Sequence, residues 1–463
     1  MAAPGTTASS SASAPTAGWH DLPAELHEKV VNHLKDDRAA LGNVIASKCP
    51  ATNEALRLYW STATPENDLL TVLDNKPSQH RQFFANKLRR VTIEFKAPGE
   101  HHEGRGLQYS RLQNLTVVHD QVLMGIESRT YARIRRFMNA RLRYLEVGCH
   151  LHESMNVTPT TDNFLPALSG CSDLRSLALH ARVKGATSED LVDVLNNCNM
   201  LRSLKLEKYT DSLIDESTIQ AIAAHPTIRF LAIDKHLDVQ LLSLVANVPR
   251  PFKQITSLRL CIDTSAAHSL LPHMEKLKIL ELTVLSDYGT TSIFPHLRTL
   301  TNLKSLYIKF HNKILRDEDL SHLAPLKQLE SLELSEHDDE KAFFNTAMVR
   351  PDLFAAVLGS LPVLDSFTLH ASHVFGDQFL IALGRVLFPC LEVLELGRVD
   401  STVPMRSWGG FKEAWAGGIA HALLRHAPTL QSIWLHEDGD GGLGELVKET
   451  WEEMIEERDA RLL

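Results

Sequence analysis

The apolar residues of this chain fall into one recurring hexad: an apolar residue, two variable positions, an apolar residue, one variable position, an apolar residue. It occurs thirteen times, from Leu88/Val91/Ile93 to Leu430/Ile433/Leu435, and is plainest at Leu174/Leu177/Leu179, Leu201/Leu204/Leu206 and Leu329/Leu332/Leu334. Mid-array hexads recur mostly every 26 or 27 residues, and longer gaps flank them. In each unit the last two apolar positions alternate as in a half-buried strand, whereas the segment before the next hexad carries helical spacing. Ser188 to Leu195 predicts a helix capped by Ser188, with Leu191, Val194 and Leu195 on one face. Asp215 to Ala224, Gln240 to Ala246 and Pro351 to Leu358 repeat that theme. One strand and one helix cannot bury their own apolar faces, but stacked copies share a continuous core.

Strand geometry then assigns the variable residue between the last two apolar positions to the surface opposite the core. Lys205, Arg259, Glu281, Tyr307, Glu333, Glu395 and Trp434 occupy this position and are the candidate substrate contacts. Tyr307 and Trp434 are aromatic anchors. Lys205 and Arg259 suit acidic groups, and Glu281, Glu333 and Glu395 form an acidic stripe. The third hexad position is Ser in seven repeats, Ser176, Ser203 and Ser257 among them, small enough to keep its neighbours accessible.

Residues 19–64 precede the array. Leu26, Val30 and Leu34 form the stripe of a first helix begun by Pro23. Leu41, Val44 and Ile45 belong to a second helix over Ala39 to Ala46, and Leu56, Tyr59 and Trp60 to a third over Asn53 to Trp60. Three short helices make a small core and leave apolar surface for a partner. Residues 1–18 read as a disordered Ala/Ser/Thr/Pro tail without the charged and apolar regions of a secretory signal. Residues 65–85 read as a helical linker, 86–437 as the repeat array and 438–463 as a capping helix in which Val447, Trp451 and Ile455 share a stripe.

The hexads resemble the leucine-rich-repeat family in its longer α/β form. The resemblance implies an α/β solenoid, a horseshoe with parallel strands on the concave face and helices on the convex face. The chain departs at the ninth repeat position, where the family often places Asn or Cys; here stand Arg182, Tyr209, His236, Asp263 and other unrelated residues. No continuous side-chain ladder is expected there, and the turns should be irregular. Leu22-Pro23-x-Glu25-Leu26, followed by Val30, Val31, Leu34 and the Leu41 to Ile45 segment, is similar to an F-box. The second half departs from the F-box pattern, with Ile45-Ala-Ser-Lys-Cys-Pro lacking the usual Trp.

An F-box ahead of leucine-rich repeats resembles the substrate receptors of Skp/cullin/F-box ubiquitin ligases. The resemblance implies adaptor docking through Leu22, Pro23, Leu26, Val30, Leu34, Leu41, Val44 and Ile45. It also implies a protein substrate on the concave face and a cullin reached through the Skp-type adaptor. The chain is then no enzyme and needs no cofactor, and its compartment is cytoplasmic and/or nuclear. A repeat scaffold or inhibitor-type binding protein without F-box function is the alternative.

Composition agrees with a folded, soluble chain. The 463 residues are 44% hydrophobic and 23% charged, and the net charge of −9 argues against general nucleic-acid binding. Charged residues interrupt every apolar run before membrane-spanning length. Six widely spaced cysteines without a CxxC pair suit a reducing compartment. No Gly-x-Ser-x-Gly, Gly-x-x-x-x-Gly-Lys or His-Glu-x-x-His motif occurs. Cys149-His150-x-His152, with His180 one repeat on, has soft metal-ligand chemistry but reads as a turn with exposed histidines. His101-His102 and the Asp438-x-Asp440 turn read as ordinary loops. Arg129, Arg133, Arg135, Arg136, Arg141 and Arg143 form one dense basic segment, either a solvated face or a contact for acidic or phosphorylated groups.

Overall fold

The leucine triplets stack in register. The computed structural model describes residues 24–35, 37–47, 51–63, 73, 76, 78–95, 107–119, 134–148, 160–207, 209–285, 292–337, 343–371, 377–398, 412–436 and 443–460. Among these residues fourteen parallel strands form one sheet in chain order, from Thr62–Ala63 and Arg90–Phe95 to Val393–Arg398 and Ser432–His436. Equivalent apolar positions face each other across every step, as in Leu231 against Leu258, Leu258 against Leu280 and Leu280 against Leu306. Their side chains enter a single apolar core that runs from Trp60 to Trp451. The connecting helices of successive repeats pack on one another. This is a leucine-rich-repeat solenoid.

A backbone ladder links the strand entrances. The Arg143 carbonyl accepts from the N–H groups of Arg175 (2.8 Å) and Ser176 (3.0 Å), and the Arg175 carbonyl from those of Arg202 (2.7 Å) and Ser203 (3.0 Å). The same bifurcated step recurs at each strand entrance as far as Gln431 and Ser432 on the Glu392 carbonyl. This main-chain ladder satisfies the carbonyls at the strand entrances whatever side chain they carry. Side chains supplement it locally. Asn139 Nδ2 donates to the Tyr109 carbonyl at 3.1 Å, and Thr227 Oγ1 to the Leu201 carbonyl at 2.7 Å.

Two helix expectations change. The helix Ser188–Asn197 is capped by Thr187, whose Oγ1 accepts from Asp190 N while Asp190 Oδ2 accepts from Thr187 N at 2.9 Å. Such a reciprocal box needs an acidic residue three positions on, and Asp190 stands three after Thr187. The segment expected as a helix over Gln240 to Ala246 is a 3-10 turn at Ser243–Asn247. Asp238 Oδ1 there accepts the Leu241 N–H at 2.8 Å, holding the entry as a bend, and Pro249 ends the run. Helices Glu216–Ala224 and Pro351–Gly359 form as expected, the first capped by Asp215. The terminal helix starts earlier than its stripe implied, at Leu443, and runs to Ala460; Val447 and Trp451 close the last repeat.

Ahead of the array, α1 (Ala24–His33), α2 (Arg38–Ala46) and α3 (Thr52–Tyr59) enclose a separate small core of Val31, Leu41, Ala51 and Ala55. Asp37 caps α2 by accepting from Ala40 N at 2.9 Å. Tyr59 packs against both cores, whereas Trp60 belongs to the array, its ring centroid 4.5 Å from that of Phe84. Thr62 and Ala63 then pair with Arg90 and Val91, so the sheet begins directly at the end of the helical unit.

Candidate binding surface on the concave strand face

Each candidate contact residue occupies the fifth position of its hexad, and the parallel register places these positions in one row. Lys205 pairs with Ala232, Ala232 with Arg259, Arg259 with Glu281, Glu281 with Tyr307, Tyr307 with Glu333, Glu333 with Thr368, Thr368 with Glu395 and Glu395 with Trp434. Strands lie about 4.8 Å apart, so the row offers side chains at that interval across the sheet. Ala178 and Ala232 lie in the row and are buried, because larger neighbours close over a methyl group.

The row is internally paired along much of its length. Arg259 Nε lies 3.4 Å from Glu281 Oε1 and 3.9 Å from Asp234 Oδ1, and Lys205 Nζ sits 5.4 Å above the Phe230 ring. Glu395 Oε1 is 3.1 Å from His370 Nε2, and Ser335 Oγ donates to Glu333 Oε1 at 3.3 Å. Trp434 is 51% exposed at the array's end, where Lys448 of the terminal helix approaches its ring to 4.9 Å. A ligand charge entering this row therefore exchanges an existing partner for a new one, which favours charge selectivity over raw affinity.

Ile279 is an exposed apolar residue of this face that the hexad pattern did not mark. It stands at the third position, between Ser257 and Ser305 on the neighbouring strands, and is 42% exposed. Its interruption of the serine run is the signal that could have identified it. With half-buried Tyr307 on the next strand it makes an apolar centre rimmed by Arg259, Glu281 and Glu333, the usual arrangement of a binding hot spot. Replacing Ile279 with Ser, as in the adjacent repeats, is expected to leave the melting temperature almost unchanged, since exposed substitutions typically stay within ~0.5 kcal/mol. The Ile279→Ser/Tyr307→Ala pair should weaken retention of a partner bound to this face at least about tenfold, equivalent to ~1.4 kcal/mol, measured by quantitative co-purification beside a thermal melt.

A second concave cluster surrounds His180. Its Nδ1 is 2.7 Å from Glu207 Oε2 and its Nε2 3.4 Å from Glu146 Oε1, while Tyr144 donates its hydroxyl proton to Glu146 Oε2 at 2.5 Å. Burial opposes a charge on the imidazole, but the Glu146 and Glu207 carboxylates outweigh it and push the His180 pKa up to about 9. Glu207, hydrogen-bonded to His180, is held below the usual carboxylate range. His180 is thus a fixed positive charge between two carboxylates at neutral pH.

Of the adaptor candidates, Leu26 is 42% exposed on α1, Val30, Leu34, Val44 and Ile45 are half-buried, and Leu41 is fully buried in the small core. Leu22 and Pro23 lie outside the described residues, as do Cys149, His150, His152, Arg129 and Arg133. Arg135, Arg141 and Arg143 are exposed. Among the described residues no group of three His, Cys, Asp or Glu side chains is arranged to hold a metal ion, and Cys171, Cys198, Cys261 and Cys390 are free thiols. Burial pushes Cys171, Cys198 and Cys261 up to about 11, which makes them poor nucleophiles. No described helix is long and apolar enough to cross a membrane.

No family model matches the chain, and no curated protein does. Among solved structures it is similar to an internalin from Listeria monocytogenes, at 16% identity and a TM-score of 0.43, covering 82% of this chain and 93% of that one. It is also similar to the Rad7 and Elc1 complex of yeast, at 13% identity and a TM-score of 0.39, covering 90% and 96%. What the strand register, the leucine spine and the backbone ladder establish by themselves is the architecture: this chain is a leucine-rich-repeat solenoid.

Proposed function

We propose that the chain is a substrate-recognition subunit of a Skp/cullin/F-box ubiquitin ligase, with α1–α3 docking on the Skp-type adaptor and the concave face holding a protein substrate. The observation that carries the reading is the separate core of the helical unit. Its few small side chains bury Leu41 completely yet leave Leu26 42% exposed on the helix whose sequence resembles an F-box. A unit this size gains stability from covering that apolar surface with a partner. The chain's part in catalysis is then proximity: it holds a substrate lysine near a conjugating enzyme carried by other subunits.

Two substitutions separate docking from folding. Leu26→Ala removes exposed surface, so the helical unit should keep its fold while adaptor affinity falls on the order of 30-fold, about 2 kcal/mol. Leu41→Ala opens a cavity in the small core at a cost of ~2–5 kcal/mol and should unfold the unit itself. The measurement is titration of full-length protein with purified Skp-type adaptor, alongside circular dichroism. No binding by the wild-type chain would favour a repeat scaffold whose N-terminal helices only cap the array.

A further inference from the structure

The second position of each hexad, just inside the first apolar residue, lies at the edge where the chain enters the sheet. Its carbonyl is the acceptor of the main-chain ladder, so these residues are stacked one strand apart, about 4.8 Å, by bonds that ignore side-chain identity. In the fourth to seventh strands of the sheet the edge residues are Arg143, Arg175, Arg202 and Arg229. In the eleventh to thirteenth they are Glu330, Asp365 and Glu392. One edge of the solenoid is therefore basic along one stretch and acidic along another.

Most of both columns is left without an internal counter-charge among the described residues. Among the described residues none of the four guanidinium groups has a carboxylate within ion-pair distance, and Asp365 and Glu392 have no cation; only Glu330 is paired, with Lys304. Burial and the flanking Glu330 and Glu392 carboxylates raise the Asp365 pKa, the response of an acid crowded by its own sign. Each column also carries an exposed apolar residue at the same turn position: Met200, 41% exposed, two residues before Arg202, and Val363, 39% exposed, two before Asp365.

We propose that this edge is a self-association surface, on which a second copy of the chain stacks in reversed repeat order about a two-fold axis. An axis between the eighth and ninth strands, Ser257–Ile262 and Ile279–Val284, sets the fourth strand opposite the thirteenth, the fifth opposite the twelfth and the sixth opposite the eleventh. Arg143 then meets Glu392 of the other copy, Arg175 meets Asp365 and Arg202 meets Glu330, and the symmetry makes each pairing twice. Arg229 meets Lys304, the one like-charge contact of the stack, which the Glu330 carboxylate shared between Lys304 and Arg202 only partly offsets.

A uniform polyanion such as nucleic acid fits this edge poorly, because the acidic stretch repels whatever the arginines attract. A segment acidic at one end and basic at the other fits, and the edge itself has that polarity. Arg–carboxylate contacts of this kind are bidentate and strong at short range, whereas the repulsion between two chains of charge −9 is screened beyond about 8–10 Å at moderate salt. The stacking leaves the concave face open.

Sedimentation velocity of the full-length chain tests the idea. The wild type should dimerise at about 50 mM salt and dissociate at least about tenfold more readily at about 300 mM. Arg143→Glu/Arg175→Glu and Asp365→Arg/Glu392→Arg should each be monomeric. Their equimolar mixture should dimerise again, because both contacts of the mixed pair are complementary; a misfolded chain cannot produce that rescue. Arg143→Gln/Arg175→Gln, with its fold checked by circular dichroism, should show an intermediate loss. Monomeric wild type at all salts, a dimer that survives either charge reversal, or no rescue on mixing would overturn the proposal. So would a monomeric wild type that binds an octaglutamate peptide through these arginines, which would assign the edge to a different acidic protein.

Discussion

Gly148→Ala is expected to lower the melting temperature by about 4 °C, from a destabilisation of roughly 4 kcal/mol. Gly148 closes the strand Tyr144–Gly148 with a φ of 144° and faces His180 on the adjacent strand. A Cβ at this position would lie 2.4 Å from His180 Cβ and 2.7 Å and 2.8 Å from the His180 carbonyl carbon and Cα. Those are backbone-anchored atoms of a central strand, so no rotamer change relieves the overlap. The strands must separate where the Glu146–His180–Glu207 cluster sits, or Gly148 must leave a conformation that L-residues rarely adopt. Gly185→Ala is the internal control, with a φ of 74° but no atom within 4 Å of the added methyl. It should cost only the local strain, about 1 kcal/mol. Differential scanning calorimetry of both variants checks the pair, and equal melting temperatures would mean that the close approach of the two strands is not there.

Stability should fall by about 3 kcal/mol at most between pH 6.5 and pH 10 through His180 alone, and His180→Gln should flatten that loss. The folded-state pKa of His180 is raised from 6.5 to about 9, so folding takes up a proton across this interval. The contribution is complete below pH 6.5 and disappears as pH rises through about 9. Glu207 sets the opposite limit. Its pKa is lowered from 4.5, so its contribution is present above that value and lost as pH falls below it. The cluster therefore stabilises the fourth to sixth strands most between about pH 5 and 6.5. Denaturant midpoints across this range, taken as the difference between wild type and His180→Gln, isolate the histidine from the tyrosines and lysines that titrate at the alkaline end. A variant curve parallel to the wild type would remove His180 from the account.

The order and direction of the strands follow from a one-dimensional repetition. An apolar residue recurring at positions one, four and six of a hexad has a single way to be buried in every repeat at once, and that arrangement is a stacked parallel sheet. The seven fifth-position candidates are aligned for the same reason: alternation along a strand decides which side a residue faces, and parallel register carries the decision across neighbours. Thr187 rather than Ser188 as a cap, and the 3-10 turn at Ser243–Asn247, were less legible. Both depend on which side-chain oxygen reaches a free N–H, a matter of ångströms that spacing does not encode.

Which exposed residues remain available was decided only in three dimensions. Arg259, Lys205, Glu395 and Trp434 meet Glu281, Phe230, His370 and Lys448, partners 14 to 25 residues away in the chain that are juxtaposed by stacking or by the terminal helix. The His180 cluster joins three consecutive strands, and the charge columns of the edge exist because the main-chain ladder piles second-position residues on one another. The amino-acid order by itself determined the solenoid, its buried spine and the side on which its polar residues stand, because hydrophobic periodicity acts locally and repeats. Tertiary structure alone decided pairing, protonation and which charges stay unsatisfied, because electrostatic interactions depend on distances between residues that the sequence keeps far apart.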